Sequence, residues 1–233
     1  MSHDHNNPGP ARPVTTPALP DAPAPKARAI GVLGGTFDPV HLGHLAIARA
    51  AAAALALEQV LFVPAHIQPH KLTRRVSAPE HRWAMLELAL EGQQGLSASR
   101  AELDRGGPSY TSETLRELRT TYGGDVRLFF ICGADALQEM DSWHRPDVLL
   151  ASATVAVARR PGCPASSQIP AIAARLTAAF GGEVVVFDAP LLDISSTAIR
   201  SRVAKGVAVE HLIPNAVYQY VLKNRLYTEG NCS

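Results

Sequence analysis

The sequence predicts an α/β fold: a Rossmann-like, doubly wound parallel sheet with helices on both faces. Two observations carry that prediction. Apolar runs of strand length alternate with helical patterns along most of the chain, the rhythm of right-handed βαβ crossovers. The first run also ends on Gly34 and Gly35 and opens into an Ala- and Leu-rich helix. With 233 residues, 46% of them apolar, the chain can bury one full core. In such sheets, ligands bind at the carboxyl ends of the strands, near a switch in strand order.

The elements follow in order. RAIGVLG, Arg28 to Gly34, is a buried strand, and a helix runs from about His41 to Leu57. QVLFVPA is a second strand. EHRWAMLELAL spaces Trp83, Met85, Leu86, Leu88 and Leu90 in a way that suits a helix better than a strand. TSETLRELRTTYG is another helix, capped by Thr111 or Ser112 and stopped by Gly123. VRLFFICG is a strand leading to a helix around Ala134 to Met140. ATVAVARR and EVVVFDAP are strands flanking the amphipathic helix IPAIAARLTAAF. The last helices lie around Thr197 to Lys205 and Asn215 to Asn224, so the C-terminal helices carry ISSTAIR. No internal repeat is present, and a single domain spans residues 27–227. Residues 1–26 are rich in Pro and Ala, with hardly an apolar side chain larger than valine. They cannot bury enough surface to order themselves and are expected to be a disordered tail; residues 228–233 fray.

Composition narrows the function. A net charge of +1 argues against a protein working through a broad basic field on nucleic acid or membrane. Cys132, Cys163 and Cys232 form neither a metal-type pair nor a disulfide framework, which suits a reducing cytosol. The alanine-dominated stretch from Leu45 to Leu57 is short and broken by Arg49, so it cannot span a bilayer. The N-terminus lacks the pattern of a signal peptide. A cytoplasmic setting is expected.

GGTFDPVHLGHL, Gly34 to Leu45, is the richest stretch. The glycines let the backbone approach a bulky anion, and a helix start offers amides and partial positive charge. Neither G-x-G-x-x-G nor the lysine-bearing phosphate loop fits. Instead His41 and His44, three apart on a helix start, share one face. Two imidazole donors there suit the charge on a phosphoryl group in an in-line displacement. Helix capping and a zinc site compete with that reading, although no third ligand stands at convincing spacing, so no metal site is assigned.

Elsewhere, Ser195, Ser196 and Thr197 offer hydroxyls and an N-cap, with Arg200 in the following first turn. His70 and Lys71 lie on a Pro-rich loop. Asp135 follows an apolar strand, where an acid can accept from a ribose hydroxyl. Asp38 is either a turn residue or something more. Arg159 and Arg160 end a strand, one of them facing the site, while Glu80, Arg82 and Glu87 form a solvated helix face.

GGTFDPVHLGHL resembles the H-x-G-H signature of the nucleotidyltransferase superfamily, and in its longer form that of the bacterial nicotinate-nucleotide adenylyltransferases. PAHIQPHK, EHRWAMLELA, ELDRGGPSYTSETL, FFICGADALQEMDSWHRPDVLL, ISSTAIRSRV and IPNAVYQYVLKNRLY resemble further segments of that family in the same order. The resemblance covers Arg28 to Tyr227. It departs from the family's pattern at Ala65, His66 and Gln68 and leaves the roles of Asp38, His66 and Gln68 open.

The resemblance implies transfer of the adenylyl group of ATP to nicotinate mononucleotide, with Mg²⁺ delivered with the ATP. It places Gly34, Gly35, Thr36, Phe37, His41, His44, Gly133, Asp135, Ser195, Ser196, Thr197 and Arg200 on ATP. His41, His44 and Arg200 would be catalytic. Lys71 would pair with the mononucleotide phosphate, Tyr110 and Thr111 would receive the nicotinate carboxylate, and Trp143 would stack on the ring with the His144 amide assisting. Arg160 joins this acceptor group. An attacking phosphate that is already an anion needs no general base and no covalent intermediate. A sister adenylyl- or cytidylyltransferase, a fragment of an aminoacyl-tRNA synthetase and a non-enzymatic nucleotide-binding regulator are the alternatives.

Overall fold

Among the described residues there are six strands, all but the short β3 containing β-branched or aromatic residues: β1 (Ala29–Gly35), β2 (Gln59–Pro64), β3 (Leu96–Ala98), β4 (Arg127–Gly133), β5 (Thr154–Arg159) and β6 (Val184–Asp188). The computed structural model describes residues 28–67, 76–159 and 164–228. The tail expected at residues 1–26 lies outside them, as do Gln68, His70, Lys71, Arg160 and all of the expected C-terminal fraying except Thr228. The strands form one sheet in the order β3-β2-β1-β4-β5-β6, with every neighbouring pair parallel.

The helices are α1 (Leu42–Ala54), α2 (Pro79–Leu90), α3 (Ala101–Arg105), α4 (Thr111–Tyr122), α5 (Ala134–Glu139), α6 (Pro146–Ser152), α7 (Ile169–Phe180), α8 (Ser196–Ala204) and α9 (Asn215–Lys223). Because side chains alternate along a strand, every strand but the short edge strand β3 feeds two cores. Leu33, Val60, Phe62, Phe129 and Ile131 meet α1, α2, α8 and α9 on one face. Ile30, Val32, Leu61, Leu128 and Phe130 meet α4, α5, α6 and α7 on the other. The doubly wound arrangement predicted from the alternation is therefore present.

The differences from the sequence reading are local. β3, α3 and α6 span three, five and seven residues, too few for a periodicity to emerge. α1 begins after His41 and stops at Ala54, where the chain turns through Ala56 at φ +50°. Tyr110, not Thr111 or Ser112, is the N-cap of α4, while Gly123 ends it as expected. Arg200 lies one residue beyond the first turn of α8. Glu80 and Glu87 are exposed, but Arg82 is not solvated: it is 1% exposed.

Gly182, just before β6, has φ +77°, and an added Cβ would lie 2.5 Å from the Leu150 carbonyl oxygen. Gly206, at φ +67°, has nothing within 4 Å. Gly206→Ala is expected to cost about 1 kcal/mol for its backbone alone, and Gly182→Ala about 2 kcal/mol more for the collision with main chain. Urea unfolding compares the two; equal losses would contradict the packing described.

Candidate active site

The strand order reverses between β1 and β4: α1 leaves β1 on one face of the sheet and α5 leaves β4 on the other. A crevice forms at the carboxyl ends of such a pair. Here it is a cleft of about 690 Å³ lined by the β1–α1 loop, the starts of α4, α5 and α8, and Trp143 with His144. That volume suits a small-molecule site, commonly about 300–1,000 Å³.

The first wall is GGTFDPVHLGHL. His41 is the N-cap of α1 in extended backbone, and His44 is its third residue. Their rings stack 3.6 Å apart at 20°. The His41 amide donates to His44 Nδ1 at 3.2 Å. With Nδ1 accepting, a neutral His44 carries its proton on Nε2. Capping and display are thus one arrangement, because the cap contact orients the ring that lines the cleft. Phe37, buried at φ +51°, packs edge-on beneath His44 at 5.0 Å. Gly43 is required by closeness: a Cβ there would meet His41 Nδ1 at 3.0 Å. The amide of Leu42 donates to the Leu212 carbonyl. Protein groups therefore take the amides of His41, Leu42 and His44 at the helix start.

The opposite wall is the start of α8. The Ser195 hydroxyl caps it by accepting from the Ala198 amide at 3.2 Å. The Ser196 hydroxyl donates to the Pro39 carbonyl at 2.9 Å, and Arg200 donates to the Asp38 carbonyl at 2.6 Å. Arg200 also reaches back to the Thr197 hydroxyl at 3.5 Å. The two motifs, 150 residues and more apart, are joined at Asp38 and Pro39.

Beneath them lies a buried charge cluster. Asp38 is 2% exposed. Its carboxylate accepts from the Tyr227 hydroxyl at 2.6 Å and the Ser77 amide at 3.1 Å, so it is no self-bonded turn residue. Arg82 donates to the carbonyls of Ser77, Thr36, Ala65 and His66. Burial lowers its pKa, and the Asp38 carboxylate opposes that shift. Burial and the same carboxylate raise the pKa of Tyr227 far above the ordinary phenol range, so its hydroxyl stays a donor. Arg82, Tyr227 and the function of Asp38 were missed from the sequence; no local pattern marks them.

At the cleft's other end, the rings of Tyr110 and His144 lie 4.2 Å apart, and Trp143 meets Phe130 edge-on at 6.0 Å. The Ser112 hydroxyl donates to the His144 carbonyl at 2.8 Å, tying the start of α4 to this segment. His66 donates from Nδ1 to the Gly107 carbonyl at 3.1 Å, and its amide donates to Ser109. His66 thus fastens the loop after β2 to the Gly107–Ser109 segment. Burial pushes the thiol of Cys132, also in the lining, up to about 12.

Among the ATP-side residues expected from the sequence, Gly34, Gly35, Thr36, Phe37, His41, His44, Asp135, Ser195, Ser196, Thr197 and Arg200 line this cleft. So do the acceptor-side residues Tyr110, Thr111, Trp143 and His144. Gly133 is the N-cap of α5, between the lining residues Cys132 and Asp135. Arg159 does not line it; it pairs with Asp188 on β6 at 2.7 Å. Lys71, Arg160 and Gln68 lie outside the described residues.

The cytidylyltransferase-like family model matches residues 32–202. A protein of Roseiflexus sp. named "Probable nicotinate-nucleotide adenylyltransferase" is 42% identical over 198 residues, covering 85% of this chain and 97% of its own length. A protein of Thermoanaerobacter sp. with the same name is 39% identical over 198 residues, 85% of this chain and 93% of its own. Among solved structures, Plasmodium falciparum nicotinic acid mononucleotide adenylyltransferase complexed with APC aligns at a TM-score of 0.68. It is 16% identical, covers 86% of this chain and 97% of its own, and shares the fold.

Gly43→Ala is expected to leave unfolding within about 1 kcal/mol of the parent, since alanine favours a helix, while displacing the His41 ring. Turnover should fall at least about tenfold, because small misplacements are costly in aligned sites. Steady-state kinetics beside a denaturation curve check this; unchanged turnover would contradict the tight His41 packing.

Proposed function

This chain belongs to the cytidylyltransferase-like family and, within it, to the nicotinate-nucleotide adenylyltransferases, and from that membership we propose how its cleft works. The enzyme transfers the adenylyl group of ATP to the 5′-phosphate of nicotinate mononucleotide. The products are nicotinate adenine dinucleotide and pyrophosphate, a step of NAD biosynthesis. A phosphate oxygen of the mononucleotide attacks the α-phosphorus of ATP as the bond to the bridging oxygen of pyrophosphate breaks.

The observation that carries this reading is convergence. Two sets of side chains remote in sequence, one around His41, His44 and Arg200 and one around Tyr110, Thr111 and Trp143, line a single cleft. On the ATP side, His44 and His41 stabilise charge along the triphosphate, while Ser195, Ser196, Thr197 and Arg200 hold its distal end. Gly34 and Gly35 let the triphosphate approach β1. Phe37 acts from below by seating His44, and Thr36, Gly133 and Asp135 serve the nucleoside end.

On the acceptor side, α4 opens at Thr111, and a helix start favours a carboxylate without a dedicated arginine. Trp143 stacks on the pyridine ring, with Tyr110 and His144 closing the pocket; Lys71 and Arg160 are assigned to the mononucleotide. Among the described residues no group of three or more His, Cys, Asp or Glu side chains converges to hold a metal, and Mg²⁺ enters as part of the ATP substrate. Among those residues no helix is long and apolar enough to cross a membrane. We assign the reaction to the cytoplasm, in a single domain over residues 27–227, with the two nucleotides as its partners and no role for nucleic acid.

Pyrophosphate release with Mg-ATP and a panel of acceptors tests the assignment. Release with nicotinate mononucleotide well above that with its amide or with phosphopantetheine is expected. Binding of ATP with no release would identify a regulator instead. His44→Ala should lose on the order of 10²–10³ in kcat, as removal of one preorganised donor does; a folded His44→Ala protein with near-parental kcat would overturn the mechanism.

A further inference from the structure

The buried cluster at the base of the β1–α1 loop meets the cleft at Asp38, whose carbonyl accepts from Arg200, and it joins four remote segments. Resting on the reading of this cleft as the ATP site, we propose that Asp38 and Tyr227 form a positioning lock. It ties the C-terminal turn to the phosphate loop and sets the spacing between the His41–His44 pair and α8.

Each face of Asp38 has its own task. The carboxylate, 2% exposed, accepts from Tyr227 at 2.6 Å and Ser77 at 3.1 Å. The main-chain carbonyl accepts from Arg200 at 2.6 Å, and the next carbonyl, of Pro39, accepts from Ser196 at 2.9 Å. His41 follows two residues later. A shift of Asp38 therefore moves the grip on α8 and the imidazole pair together. A buried carboxylate that loses a donor is costly to leave in place, which makes one loop position strongly preferred.

The backbone around Tyr227 supports a role beyond packing. Arg225 and Tyr227 hold φ +50° and +65°, a region costly for non-glycine residues and kept only where surroundings enforce it. The Tyr227 side chain runs inward, where its hydroxyl also approaches Met85 Sδ at 3.8 Å; earlier in the same C-terminal stretch, the Leu212 carbonyl holds the first amide of α1 at 3.0 Å. The segment after α8 is thus built into the ATP side of the cleft.

Tyr227→Phe removes only the hydroxyl and tests the lock. The variant should stay folded, with Tm lowered by no more than about 10 °C. Its affinity for a non-hydrolysable ATP analogue, measured without acceptor, should fall about tenfold or more, and kcat with it. The KM for the acceptor mononucleotide should stay unchanged. A structural role alone would lower Tm and leave analogue affinity and kcat per folded molecule intact, which would overturn the lock.

If Tyr227→Phe does not fold, Asp38→Asn carries the same expectation, because one amide oxygen cannot accept from both the phenol and the Ser77 amide and the NH₂ group faces a donor. Analogue binding by the parent without turnover of nicotinate mononucleotide would refute the reaction while still scoring the lock. A parent that binds no analogue would overturn both.

Discussion

One buried cation holds the site's loops together. Arg82 sits on α2 at 1% exposure and donates to carbonyls at Thr36, Ala65, His66 and Ser77. Those residues belong to the loop after β1, the loop after β2 and the approach to α2. Removing a guanidinium from water costs several kcal/mol unless donors and charge are matched. Here backbone oxygens match the donors, and the Asp38 carboxylate offsets the charge. The balance holds in one loop geometry, so the fold inherits a defined β1–α1 loop from a charge it must bury.

Upon that base, the sheet supplies position and the helices supply electrostatics. β1 and β4 lie side by side where the strand order reverses, and the starts of α1, α4, α5 and α8 border the same cleft. Helix starts favour anions, and the proposed substrates carry a triphosphate, a phosphate and a carboxylate. A chain of net charge +1 can therefore serve polyanionic ligands through local donors. Protein groups take the amides of His41, Leu42 and His44 at the start of α1, and in the proposed mechanism the imidazole rings supply donors there instead. In the proposed mechanism the histidines stand in for the lysine of other phosphate loops, and they also shape the helix start that displays them.

What the sequence discloses depends on how far a side chain's partner lies along the chain. Gly34, Gly35, His41 and His44 are legible because turn, cap and display occur within a dozen residues. Ser195 is legible for the same reason, as the N-cap of the helix it begins. Arg82 is not: on a helix start it resembles its exposed neighbours Glu80 and Glu87, and only the folded loops supply its four carbonyls. Asp38 and Tyr227 lie 189 residues apart, and no periodicity connects them. Thr111 was expected as a cap, but Tyr110 holds that place, leaving Thr111 as the first helical residue facing the cleft. β3 is too short to leave a pattern. The resemblance named the family, while the packing that makes its motif work became visible only in three dimensions.

The central claim is that alignment and charge stabilisation suffice, with one displacement at the α-phosphorus and no adenylated enzyme. The stereochemical course of the reaction tests it most directly. With a single diastereomer of adenosine 5′-(α-thio)triphosphate as donor, a single in-line displacement predicts inversion at phosphorus in the dinucleotide product. Retention would require two successive displacements through a covalent intermediate and would contradict it.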